Sequence, residues 1–168
     1  MFTLRATRKL LDRLAVKGEV ERHAPTTALG DWYANLLHFG RVQLVLCTSE
    51  KSLLSVVVPA RGAKTSLLEQ LRLGLKEALG ALAIAPGAIE RELAEMADGQ
   101  IAGTESRSVL GSMNDFAFMM EVRLRSERDT TMAEWSRWLG ETPCRPLRYE
   151  RPKDVARRLL AEGPTNSG

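Results

Sequence analysis

The sequence predicts an α+β fold: a small antiparallel sheet, made of a β-hairpin over residues 42–58 plus an N-terminal strand, covered by about six helices. Three observations predict it. Residues 42–48 and 53–58 are two nearly continuous apolar runs separated by the polar, turn-length Thr48-Ser49-Glu50-Lys51-Ser52. The second run is rich in β-branched residues, and two such runs so spaced read as a hairpin. Leu67, Leu68, Leu71, Leu75, Ala78, Leu79 and Leu82 repeat at helical spacing, the strongest periodic signal in the chain. Phe2 and Leu4 alternate with Thr3 and Arg5, the period of a short strand.

The elements then follow in order. Residues 1–5 form the first strand. Thr7 caps a helix whose apolar stripe is Leu10, Leu11 and Leu14, and Gly18 ends it. Residues 19–26 are polar, contain Pro25, and form a loop. Thr26 or Thr27 caps a second helix with Leu29, Trp32, Leu36, Leu37 and Phe39 on its buried face, and Gly40 breaks it. The unbroken apolarity of the hairpin strands predicts that both of their faces are covered. Thr65 or Ser66 caps the leucine-rich helix, and Pro86 suits the first turn of the next, which carries Ile89, Leu93 and Met96. Residues 98–107 form a loop or a weak strand. Ser108 caps a helix with Val109, Met113, Phe116, Ala117, Met120 and Leu124 on one side. Leu110, Phe118 and Met119 widen that band, as expected of a central helix. A shorter helix runs from Thr130 to Leu139, and Pro152 opens the last one, carrying Val155, Leu159 and Leu160. Residues 1–162 are expected to form a single globular domain and 163–168 a disordered tail.

Composition bounds the class. At 168 residues, 44% hydrophobic and 27% charged, the chain is an ordinary globular domain that needs no metal or disulfide to hold it. Net charge is +3 and pI 9.1. Residues 1–80 hold 12 Lys/Arg against 7 Asp/Glu, and residues 81–168 hold 12 against 14. The basic half permits weak attraction to phosphate. Charges interrupt the N-terminus before a signal-peptide core forms, and no apolar run nears the roughly 20 residues of a spanning helix. A cytoplasmic protein without membrane contact is therefore expected. Cys47 and Cys144 match no zinc spacing and no redox pair, and read as free thiols. His23 and His38 do not share a helix face at ligand spacing. With no glycine-rich phosphate loop and no nucleophile elbow, neither metal nor cofactor is expected.

Several segments stand out chemically. In Thr26 to Asn35, the adjacent Trp32 and Tyr33 would point about 100° apart on a helix, one into the core and one outward. With Asn35 they form a candidate aromatic platform, or else a helix cap with a core tryptophan. Asp31 would sit in the first turn, where the helix dipole favours it. In Ser106 to Phe116, polar residues crowd an apolar helix. Arg107 and Ser108 lie at its N-terminus, where anions are favoured. Ser108, Gly111, Ser112 and Asp115 share a face, with Asn114 about a quarter turn away. Arg107, Asn114 and Asp115 read as an anion-binding or acid/base cleft, or as a solvated face beside a cap. Cys144, next to Arg145, is either a thiol of lowered pKa or an inert loop residue. The basic runs Arg5-Arg8-Lys9-Arg13, Arg123-Arg125-Arg128 and Arg157-Arg158 are diluted by Asp12, Glu121 and Glu127.

The segments Leu29-Gly30-Asp31-Trp32-Tyr33-Ala34-Asn35, Gln43 to Cys47 and Arg107-Ser108-Val109-Leu110-Gly111-Ser112-Met113-Asn114-Asp115-Phe116 resemble an uncharacterised bacterial family known as a domain of unknown function. Glu141-Thr142-Pro143-Cys144 extends the same pattern. The resemblance implies a bacterial, cytoplasmic, one-domain protein and supplies no activity or catalytic residue. From the residues, the function expected is a small binding or regulatory module with a protein or nucleic-acid partner. The alternative is a small hydrolase or phosphoryl-transfer enzyme. Its Arg107 would clamp an anion, its Asp115 would act as base or metal ligand, and its Asn114 would orient the substrate. A homodimer through a stripe around Trp135 and Trp138 is a third expectation.

Overall fold

A computed structural model describes residues 1–163, so residues 164–168 of the expected tail lie outside it. Five strands form one open sheet in the order β4-β3-β2-β1-β5: β1 (Phe2–Ala6), β2 (Trp32–Phe39), β3 (Val42–Ser49), β4 (Ser55–Pro59) and β5 (Gly99–Gly103). Six helices accompany them: α1 (Arg8–Leu14), α2 (Ala63–Gly80), α3 (Pro86–Glu95), α4 (Arg107–Leu124), α5 (Met132–Gly140) and α6 (Pro152–Glu162). The α+β class holds, but the sheet is mixed and not antiparallel. β1 runs parallel to both β2 and β5, whereas β2, β3 and β4 form an antiparallel meander.

The largest departure from expectation is residues 26–39. They form a turn and then strand β2, not a helix. Leu29, Trp32, Leu36, Leu37 and Phe39 fit helical spacing, yet Trp32, Ala34 and Leu36 point to one face of the sheet and Tyr33 and Leu37 to the other. A strand buried on both faces loses its alternation, so its spacing mimics a helix. Gly40, at φ +64°, opens the two-residue turn into β3. A left-handed residue is what such a hairpin turn needs. The expected weak strand at 98–107 is β5, which holds two glycines and gains its order from pairing with β1.

The hairpin strands are covered on both sides. One face packs Phe2, Leu4, Trp32, Val45, Cys47, Val56 and Val58 against α1, α2, α3 and α6. The other packs Tyr33, Leu37, Leu44, Leu46 and Val57 against α4 and α5. The caps differ in detail from expectation. α2 begins at Ala63 after Gly62, and non-helical Ser66 kinks it while its hydroxyl donates to the Gly62 carbonyl at 2.9 Å. Ser106, not Ser108, caps α4, its hydroxyl accepting the Val109 N–H at 3.3 Å. Thr131 and Glu134 form a capping box at α5. Glu92 on α3 is buried and accepts the N–H groups of Ala28 (2.7 Å) and Leu29 (3.1 Å), which pins the turn before β2.

Two predictions follow from this packing. A Cβ at Gly74 would lie 2.5 Å from Cγ1 of buried Val56, so α2 rests directly on β4. Gly74→Ala is expected to lower the urea midpoint, because overpacking costs about 1–3 kcal/mol and outweighs the helix-propensity gain of up to about 1 kcal/mol. A midpoint at or above wild type would refute that contact. The second concerns pH. Burial raises the carboxyls of Glu92 and Glu50, only partly offset by the N–H groups they accept. The unfolded chain releases these protons first, so their contribution is fullest below the ordinary glutamate range and is lost as pH rises through the raised folded values. Glu92→Gln should flatten that decline in chemical-denaturation curves. Curves parallel to wild type would contradict the reading.

Candidate functional site

The residues singled out in the sequence fall into two separate places. Trp32 is fully buried on the face of the sheet covered by α1, α2, α3 and α6, and its indole N–H has no partner. Tyr33 is buried on the opposite face, where its hydroxyl accepts the Ser106 N–H at 3.2 Å and so anchors the start of α4. Asn35 accepts a hydrogen bond from the Thr7 hydroxyl at 2.8 Å. Adjacent strand residues point to opposite faces, so Trp32 and Tyr33 share no surface. Asp31 lies just before β2 and not in a helix. Its carboxylate accepts the Thr3 N–H at 2.8 Å and pairs with Arg5 at 3.2 Å, the two side chains being only 5% and 11% exposed.

Arg107, Ser108, Gly111, Asn114 and Asp115 are exposed on the outer side of α4, while Ser112 turns inward. Phe118 and Val122 continue the outer side as exposed apolar residues. Three cavities open on the surface have linings that include none of Arg107, Asn114, Asp115, Trp32 and Tyr33. One, of about 350 Å³, lies where the chain leaves β1 for one face of the sheet and β5 for the other. That switch point is where open sheets commonly bind ligands. Here Glu105 lines it, bridging Arg5 (3.3 Å) and Arg22 (2.7 Å). A second, of about 570 Å³, lies beside Trp138, over which the Arg123 guanidinium stacks at 4.7 Å. Trp135 is buried and Trp138 half-buried. Among the described residues no group of three or more His, Cys, Asp or Glu side chains could hold a metal.

A surface not singled out in the sequence lies between α5 and α6. Cys144 is buried and anchors a short loop to the core. The loop runs through a single 3-10 turn, Arg145–Leu147, and then Arg148 and Tyr149 both take left-handed backbone, at φ +53° and +64°. Backbone bonds close it: the Cys144 N–H donates to the Glu150 carbonyl (3.1 Å), and the Tyr149 N–H donates to the Cys144 carbonyl (2.9 Å). Tyr149 is thereby held outward, 68% exposed. Residues 144–158 carry six basic side chains against Glu150 and Asp154, a surplus of four, whereas the whole chain's surplus is three. Arg151 and Arg157 pair with Asp154, and Arg158 with Glu150. Arg145 and Arg148 make no ion pair among the described residues. Burial, and then the charge of Asp115, push the Cys144 thiol up to about 11. This is opposite to the shift a nucleophile needs. A running charge count along the sequence detects the 144–158 cluster; the left-handed loop that displays Tyr149 leaves no such signal.

The architecture defines the class, an α+β domain with a five-stranded mixed sheet between two helical layers. The chain belongs to the family described as a domain of unknown function (DUF6933), whose model matches residues 3–155. No curated protein and no solved structure matches it.

The Asp31 network predicts a graded loss of stability. Asp31→Ala leaves the Thr3 N–H without its acceptor and Arg5 with only the half-exposed Glu105, and is expected to cost about 1–3 kcal/mol. Glu105→Ala, removing a partner that is 42% exposed, should cost about 1 kcal/mol or less. Equal losses in denaturant titrations would show that Asp31 has no special place.

Proposed function

We propose that this chain is a non-enzymatic binding module, and that its partner is single-stranded nucleic acid held at the loop around Tyr149. The observation that carries the reading is an outward Tyr149 flanked in the same short loop by Arg145 and Arg148, two guanidiniums without an ion pair among the described residues. Phosphate contact needs clustered guanidiniums whose charge is not consumed internally, and Arg145 and Arg148 meet that need. An exposed ring beside them provides a stacking surface worth about 1–3 kcal/mol per base. Two successive left-handed residues cost of order 1–3 kcal/mol each, a strain consistent with a loop shaped for display. The outward ring favours a single strand, whose unpaired bases are free to stack on it. The hydrolase alternative has less support, because Arg107, Asn114 and Asp115 are exposed on the outer side of α4. A protein partner or second copy is the second reading, favoured by the exposed Phe118 and Val122 on α4. A cytoplasmic setting fits either reading; among the described residues no helix is long and apolar enough to cross a membrane.

The test is fluorescence anisotropy of labelled oligo-dT and oligo-U across a salt series. Wild type should bind at about 50 mM salt and weaken with a slope of about −0.7 per phosphate contacted. Tyr149→Ala should weaken binding about tenfold, and Arg145→Ala with Arg148→Ala should shallow the slope. Arg107→Ala, on the far helix terminus, should change nothing. Absence of binding at low salt, or unchanged binding by Tyr149→Ala, would reject the nucleic-acid reading.

A further inference from the structure

Strands β1 and β5 place Arg5 and Ala102 side by side, and both line the cavity of about 350 Å³ at the switch point. Arg5 is its anchor. The Asp31 carboxylate holds the Nε and Nη2 edge of the guanidinium at 3.3 and 3.2 Å, and the side chain is only 11% exposed. The remaining nitrogen, Nη1, meets a carboxylate oxygen of Glu105 at 3.3 Å. Arg22, from the loop that covers β5, reaches the same oxygen with Nη2 at 2.7 Å. One carboxylate oxygen between two guanidiniums is an arrangement by which arginines hold an anionic ligand. Here the chain itself supplies the carboxylate. Glu105 stands on the short segment between β5 and α4 and is 42% exposed. Ion pairs so open to water contribute little, so an incoming carboxylate displaces it at small cost.

The rest of the lining narrows the ligand. Glu19 and Glu21 lie on the same loop as Arg22. Two bonds fix that loop against β5: the Gly103 N–H donates to the Gly18 carbonyl at 3.1 Å, and the Gln100 amide donates to the Glu21 carbonyl at 2.9 Å. Glu21 meets only His23, at 3.7 Å, and Glu19 makes no ion pair among the described residues. With Glu105 displaced, the lining holds two guanidiniums and two carboxylates. Phosphate would bring its double charge against those carboxylates, and a plain amine would leave the guanidiniums without an anion. A molecule bearing one charge of each sign complements both sets. Val20, between the two glutamates and 40% exposed, offers apolar contact to a short carbon chain. The volume is near the small end of ligand pockets, which suits such a molecule.

We propose that this cavity binds a small zwitterionic amino acid. Its carboxylate displaces Glu105 between Arg5 and Arg22, and its ammonium faces Glu19 and Glu21. The site shares no residue with the Tyr149 loop and does not rest on it.

The experiment is an amide NMR titration at low salt with L-alanine, β-alanine, 4-aminobutanoate and 6-aminohexanoate, whose charges are progressively further apart. Butanoate and butylamine, each lacking one charge, are the controls. At least one amino acid should saturate, moving the amides of residues 18–22 and 103–106, and should bind about twofold to fivefold more tightly than either control. Glu105→Ala should strengthen that binding about twofold to fivefold, because the internal competitor is gone. Arg22→Ala should weaken it by a similar factor. Glu19→Gln with Glu21→Gln should erase the preference over butanoate. All four positions are exposed, so each variant is expected to fold. Saturation by none of the amino acids, shifts confined to other residues, equal binding of butanoate by wild type, unchanged or weaker binding in Glu105→Ala, wild-type binding in Arg22→Ala, or a preference that survives loss of Glu19 and Glu21 would each overturn the proposal.

Discussion

The rest of the structure depends on the way β1 is held inside the sheet. It has a parallel neighbour on each side, and its backbone groups must be satisfied without water. β2 pairs with β1 only from Trp32 onward, so the Thr3 N–H would be left over. The Asp31 carboxylate accepts it and extends the ladder by a side chain. Burying that charge is tolerable only because Arg5, on the next turn of the pleat, faces the same way and pairs with it. With β1 inside the sheet, the chain leaves it over one face as α1 and leaves β5 over the other as α4. The Tyr33 hydroxyl then receives the first N–H of the α4 approach.

Both open edges of the sheet are closed by local devices. At β5, the Gly103 N–H donates to the Gly18 carbonyl and the Gln100 amide to the Glu21 carbonyl, so the loop after α1 covers the edge. At β4, Ser136 and Pro59 remove the donors. Covered edges suppress strand addition between molecules. Outside the sheet, Tyr149 is held in solvent on its loop. The outer side of α4 presents Arg107, Asn114 and Asp115 to water.

Legibility varied with the kind of signal. The hairpin of β3 and β4, the leucine stripe of α2 and the apolar side of α4 were readable because each buries a face whose period matches its own backbone. β2 was not, since Trp32 and Tyr33 are both buried and the strand alternation vanishes. That single misreading also displaced the candidate site: on a helix the two aromatics could flank one surface, whereas on a strand they are separated by the sheet. Ser106 and Ser108 are both good capping residues, and only the position of Tyr33 against the Ser106 N–H makes the earlier one the cap. The Tyr149 loop depends on bonds between Cys144 and Glu150 that no residue pattern announces.

The sequence by itself determined the α+β class, most of the helices and the burial of the hairpin on both faces, because these follow from where apolar residues recur along a regular backbone. Only the tertiary structure decided the parallel pairing of β1, the strand identity of residues 32–39, the fate of Asp31 and the outward turn of Tyr149. Each of these turns on which distant backbone group lies within hydrogen-bonding reach. Local spacing carries no information about that until the sheet has assembled.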